Sequence, residues 1–80
     1  MLTLYVRTGC PYCGKVLREA EEMGVTFILK NISEPEIAAE LVARGGKQQV
    51  PYLVDEANDK EMYESEDIIA YLHESFKTGE

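Results

Sequence analysis

Leu2-Thr3-Leu4-Tyr5-Val6-Arg7-Thr8-Gly9-Cys10-Pro11-Tyr12-Cys13 is the stretch that decides the fold. Leu2, Leu4 and Val6 alternate with Thr3 and Tyr5, the two-residue period of a strand. Pro11 suits the first position of a helix, where its missing N–H costs nothing. Beyond it Cys13, Val16, Leu17 and Ala20 recur at helical spacing, and Gly24 stops the helix. A strand therefore runs into a helix across Arg7–Cys10, with Cys10 at the junction.

Working outward, Val25-Thr26-Phe27-Ile28-Leu29 reads as a second strand, apolar on both faces as a buried strand would be. Ser33-Glu34-Pro35-Glu36 has the form of a capping box, with Ser33 as N-cap and Glu36 three residues on. Ile37, Ala38, Leu41 and Val42 follow on one helical face, and Gly45-Gly46 ends that helix. Tyr52-Leu53-Val54 is a short strand. Ala57-Asn58-Asp59-Lys60 is turn-like, and Glu61-Met62-Tyr63 reads as a return strand. Ser65 is placed to cap a last helix that turns Ile68, Ile69, Leu72 and Phe76 inward. The order is β-α-β-α-β-β-α. The first two strands, joined through a helix, should be parallel with a right-handed crossover, and the last two antiparallel. The expected architecture is an α/β fold, a four-stranded mixed sheet with helices on both faces.

The chain has 80 residues, enough for one domain over 1–80, and 45% of them are hydrophobic, enough for one modest core. Its formal charge is −7, from 8 Lys+Arg against 15 Asp+Glu. An acidic chain is a poor candidate for binding nucleic acid or an anionic membrane face. No apolar run approaches the ~18 residues of a membrane span. No basic start or small-residue cleavage site precedes the first strand, so the expected location is the cytoplasm. The charge is uneven: Arg7, Lys15 and Arg18 are the only charged residues among the first 18, and every acid lies beyond them. Either this is an accident of small counts, or it makes an electropositive site that favours a thiolate and attracts an anion.

The two cysteines lie in one motif, so they cannot staple distant parts of the fold. In a reducing compartment such a pair points to catalysis or metal binding. With Pro11 as the first helical residue, Cys10 is the N-cap. Its sulfur then meets the free N–H groups of Tyr12 and Cys13 at the positive end of the helix dipole. Such positions lower a cysteine pKa from ~8.5 to ~3.5–7.5. Cys13, one turn on, should lie deeper, which makes Cys10 the nucleophile and Cys13 the resolving thiol. A zinc half-site is the alternative, but it needs two more ligands and His73 is the only histidine. No metal is expected.

Cys10-Pro11-Tyr12-Cys13 after a strand, Val50-Pro51 before the third strand and Ser65-Glu66-Asp67 opening the last helix together resemble a dithiol glutaredoxin. The resemblance covers essentially the whole chain. It implies a thioredoxin fold, a cis Val50–Pro51 bond, and glutathione as reductant and co-substrate. Two features depart from it. Gln49 stands where that family usually has Thr, and Tyr63-Glu64 where it usually has Gly-Gly. Gln49-Val50-Pro51, and Glu64-Ser65 followed by Ile68, instead resemble the amino-terminal domain of glutathione transferases. That domain shares the fold and the glutathione site, usually lacks the cysteine pair, and is followed by a helical domain for which these 80 residues leave no room.

On these resemblances the glutathione-binding residues are Arg7, Tyr12, Gln49, Val50, Pro51, Ser65 and Glu66. The Val50 N–H and C=O would face outward beside Cys10 and pair with a peptide backbone. Ser65, at a helix start, would hold a γ-glutamyl carboxylate, or serve only as a cap. Glu66 would take the α-amino group, or simply be solvated. Arg7 or Lys47 would hold the glycyl carboxylate, with Tyr12 as a wall of the cleft. The expected activity is thiol–disulfide oxidoreduction on glutathionylated or disulfide-containing proteins, by a monomer. Cys10 takes up glutathione from a mixed disulfide and a second glutathione reduces that intermediate; alternatively, both cysteines reduce a protein disulfide through a mixed disulfide that Cys13 resolves. The alternatives are a thioredoxin-like electron donor recycled by a flavoprotein, and an iron–sulfur cluster carrier using Cys10 and glutathione.

Overall fold

A computed structural model describes residues 2–75. Strand β1 spans Leu2–Val6, helix α1 Pro11–Met23, β2 Ile28–Asn31, α2 Pro35–Gly45, β3 Tyr52–Asp55, β4 Lys60–Met62 and α3 Ser65–Ser75. The sheet order is β2-β1-β3-β4. β1 and β2 are parallel, with Leu4 opposite Leu29, while β3 runs antiparallel to both β1 and β4. This is the thioredoxin fold. Phe76, expected to point inward, lies outside the described residues.

Strand alternation divides the core in two. Leu2, Leu4, Val6 and Leu53 turn to one face and pack with Cys13, Val16 and Ala20 of α1 and Ile68 and Leu72 of α3. Tyr5, Tyr52 and Val54 turn to the other face and pack with Ile32 and with Leu41 of α2. The helices lie on both sides because each strand between them offers a side chain to both.

Four local expectations change. The second strand starts at Ile28 rather than Val25, and Ile28 and Leu29 are 44% and 53% exposed. Val25 is instead consumed by the end of α1, its N–H donating to the Ala20 carbonyl at 2.8 Å. β2 also forms the sheet edge, so the apolar run is not covered on both faces. At α2 the N-cap is Glu34, not Ser33, and no side chain caps it. Pro35 decides this: the residue before a proline is driven to extended backbone, and Glu34 sits at φ −85°, ψ 124°. Ser33 falls one residue early and its N–H turns to the Asn31 side chain. Val42 of α2 is 41% exposed, off the buried stripe. The return strand begins at Lys60, opposite Asp55, one residue before the expected start.

Candidate functional site

The Arg7–Cys10 turn delivers Cys10 from β1 to α1. The Cys10 N–H donates to the Arg7 carbonyl at 3.1 Å, and Gly9 takes φ +82°, where a side chain is strained. Cys10 is the N-cap of α1, with extended backbone at φ −82°, ψ 114°, and Pro11 follows at the first helical position. Its Sγ accepts from the Cys13 N–H at 3.3 Å.

The two thiols are free and differ in environment: Cys10 is half-buried and Cys13 buried. Partial burial works against a charge on Cys10. The Cys13 thiol, the Cys13 and Tyr12 amides and the Arg7 charge outweigh it and hold the Cys10 pKa below the ordinary thiol value. Burial pushes Cys13 up to about 12, reinforced by its place beside the Cys10 sulfur. The pair thus separates into a more acidic thiol near the surface and a less acidic one beneath it.

Around Cys10, Tyr12 stands on the first turn of α1 and is 62% exposed. Tyr5 is opposite Tyr52 in the sheet, so Val50-Pro51 runs in beside the end of β1 where the Cys10 turn begins. The Val50–Pro51 bond is cis. Pro51 is buried, Gln49 is half-buried, and Val50 and Cys10 pack against the same aliphatic cluster. Helix α3 lies along α1 in the same direction. Lys15 comes within 4.0 Å of Glu66 near their starts, and Glu19 meets His73 at 3.3 Å further along. Ser65 and Glu66 therefore open α3 at the Cys10 end of the molecule. Ser65 is buried and is the first helical residue; the preceding Glu64 carbonyl accepts from the Ile68 N–H at 2.8 Å. The cap position is thus Glu64, one residue before the expected one. Arg7 is exposed and reaches the cysteines through its charge.

Lys47 sits in the loop leading to Gln49, and its main chain is held by Tyr63. The Lys47 N–H donates to the Tyr63 hydroxyl at 3.0 Å, and that hydroxyl donates to the Lys47 carbonyl at 2.8 Å. Tyr63 carries no role in the sequence reading beyond a strand residue. Its only signal there is the departure from Gly-Gly before Ser65. A cleft of about 310 Å³ lined by Leu17, Val25 and Phe27 lies at the far end of α1 and does not touch this site. Among the described residues no group of three or more His, Cys, Asp or Glu is placed to hold a metal, and no helix is long and apolar enough to cross a membrane.

Known proteins bear on this arrangement. Residues 4–79 match the family profile described as "Glutathione S-transferase, N-terminal domain". None of the curated proteins is a significant match in sequence. Among solved structures, a glutathione S-transferase from the Antarctic clam Laternula elliptica is 29% identical, covering 94% of this chain and 35% of its own, with a TM-score of 0.79. A delta-class glutathione transferase of Nilaparvata lugens is 28% identical over 99% of this chain and 38% of its own, with a TM-score of 0.82. A trimeric glutathione transferase of Leishmania is 28% identical over 98% of this chain and 17% of its own, with a TM-score of 0.79. The chain thus spans little more than a third of the clam and Nilaparvata lugens proteins. Of the two resemblances in the sequence, the match falls on the one carried by Gln49-Val50-Pro51 and Glu64-Ser65, rather than on the dithiol glutaredoxins. The chain belongs to the glutathione S-transferase N-terminal domain family.

Proposed function

We propose that this chain binds glutathione and acts as a glutathione-dependent thiol–disulfide oxidoreductase, with Cys10 as nucleophile and Cys13 as resolving thiol. One observation carries the reading: Cys10 Sγ, at the start of α1, accepts from the Cys13 amide, and a second free thiol, Cys13, lies buried one turn beneath it. A transferase domain that only positions glutathione needs no second thiol there.

The Cys10 thiolate attacks the glutathione sulfur of a protein–glutathione mixed disulfide. The S–S bond breaks, the electron pair leaves on the protein sulfur, and that thiolate takes a proton from solvent. Glutathione stays on Cys10 as a new mixed disulfide. A second glutathione thiolate attacks the glutathione sulfur held there, freeing Cys10 as thiolate and releasing oxidised glutathione. For a protein disulfide, Cys10 forms the mixed disulfide with the substrate. Cys13, once deprotonated, attacks Cys10 Sγ and expels the reduced substrate.

In this reading Val50 pairs with the glutathione backbone and Gln49 and Pro51 shape the loop. Ser65 and the first amides of α3 receive the γ-glutamyl carboxylate, and Glu66 the α-amino group. Arg7 or Lys47 takes the glycyl carboxylate, and Tyr12 walls the cleft. The proposal includes a single domain over 1–80, working as a monomer in the cytoplasm on glutathionylated and disulfide-containing proteins. A second reading follows from the family match and the span of the relatives: the domain supplies the glutathione site of a transferase.

Turnover of a glutathionylated peptide, with and without glutathione, tests the proposal. Cys10→Ser should abolish turnover. Cys13→Ser should keep deglutathionylation and lose reduction of protein disulfides. Equal loss in both variants on the glutathionylated peptide would contradict the division of roles. Turnover with a flavoprotein reductase but not glutathione would favour a thioredoxin-like donor.

A further inference from the structure

We propose that Tyr63 is a positioning residue for the glutathione site, clamping the loop that carries Lys47, Gln49 and Val50, and that Gly45 is the space that admits it. The proposal rests on the glutathione reading above and adds to it a residue outside the cleft.

The loop between α2 and β3 has little to hold it. Among the described residues the Gln48, Gln49 and Val50 amides make no intramolecular hydrogen bond. Its far end is seated by Val50, which packs against both core clusters. Its near end is seated by Tyr63, sixteen residues away in sequence. The Tyr63 hydroxyl satisfies both main-chain groups of Lys47, at 3.0 and 2.8 Å. The Lys47 ammonium lies 5.2 Å from the centre of the same ring. One side chain thus holds one residue at its amide, its carbonyl and its charge.

The ring itself is anchored. It tilts against Tyr52 with centroids 4.4 Å apart, and Tyr52 meets Tyr5 at 5.9 Å. On its other side is Gly45, the last residue of α2. A methyl group there would overlap the Tyr63 hydroxyl and stand 2.8 Å from ring Cζ. Alanine is the better helix former, so this glycine is explained by the ring it accommodates.

A loop whose amides must meet a ligand backbone binds more tightly when it is ordered beforehand. The clamp supplies that order and fixes the Lys47 ammonium where a glycyl carboxylate would arrive. Tyr63→Phe keeps the ring and deletes both hydrogen bonds. Losing the two bonds should weaken glutathione binding by about fivefold to a hundredfold.

The test compares parent, Tyr63→Phe and Gly45→Ala by glutathione titration, Lys47 amide exchange and the alkylation rate of Cys10. We expect weaker glutathione binding and faster Lys47 exchange in both variants, with Cys10 alkylation unchanged. Gly45→Ala reaches the same clamp by a route that leaves Tyr63 intact, so a folding failure of one variant does not remove the test. Parent-like affinity in both variants would overturn the clamp alone. A parallel fall in Cys10 reactivity would show general loosening and overturn a positioning role. If the parent binds no glutathione, the functional reading fails and the proposal with it.

Discussion

The two faces of the sheet are built from different chemistry. Beneath α1 and α3 the strands offer Leu2, Leu4, Val6 and Leu53, an aliphatic layer packed against both helices. Beneath α2 they offer Tyr5, Tyr52 and Val54, with Tyr63 tilted against Tyr52. The second layer is edged with charge. Lys30 pairs with Glu40 at 2.9 Å, Arg44 reaches Glu61 at 2.9 Å and Glu56 at 3.2 Å, and the Tyr52 hydroxyl donates to Glu61. The aliphatic face fixes where the two helices start, and those starts carry Cys10 and Ser65. The tyrosine face instead secures a loop through directed hydrogen bonds. Placement of the Cys10 sulfur and ordering of the Lys47–Val50 loop thus fall to opposite sides of one sheet.

Breaking the aliphatic face should have the largest effect. Leu53 is fully buried between the helices. Leu53→Ala should cost ~2–5 kcal/mol, read as a lower midpoint in denaturant with the slope retained. A loss under ~1 kcal/mol would mean that this layer is not the one holding the helices.

Asp55, at the end of β3, joins the sheet to α3 and comes next. It is buried, and accepts from Tyr71 Oη at 2.5 Å and from Asn58 Nδ2 at 2.9 Å. Burial opposes its charge, but the Asn58 and Tyr71 hydrogen bonds outweigh it and hold the pKa below 3.8. A depressed carboxylate pKa stabilises the fold fully above the unfolded value of ~3.9 and loses that contribution as pH falls through the folded value. Asp55→Asn should therefore cost ~1.5–3 kcal/mol near neutral pH, with the gap to the parent closing below about pH 4. A gap that stays constant from neutral to acid in denaturant melts would contradict the assignment.

On the tyrosine face the ion pairs should matter least. Lys30 and Glu40 are each a third or more exposed. Lys30→Ala should cost within ~0–1 kcal/mol, and the cost should shrink as salt is added. A larger, salt-independent loss would show that this face depends on buried charge after all.

How far each region was legible follows from the range of its interactions. Cys10, Pro11 and Cys13 interact within one helical turn, so the N-cap and the division between the thiols could be read from the sequence. Gly24 and Gly46 end their helices for equally local reasons. The Ser33 capping box failed because a second local signal, Pro35, overrode it. The stretch Val25–Leu29 failed for a different reason: a run apolar on both faces suits a central strand, and only the sheet order shows that β2 is an edge. Tyr63 was illegible because its partners, Gly45, Lys47 and Tyr52, meet it only once α2, β3 and β4 have assembled.

The central claim is that the fold makes a thiolate at Cys10 and withholds one at Cys13. Thiolate ultraviolet absorbance followed against pH, in the parent and in Cys13→Ser, tests it most directly. The parent should show one titration below the ~8.5 of a free cysteine, as the Cys10 environment directs, and a second near the value of about 12 for Cys13. The second step should vanish in Cys13→Ser. A single step of two thiols near ~8.5, the value of a free cysteine, would contradict the account.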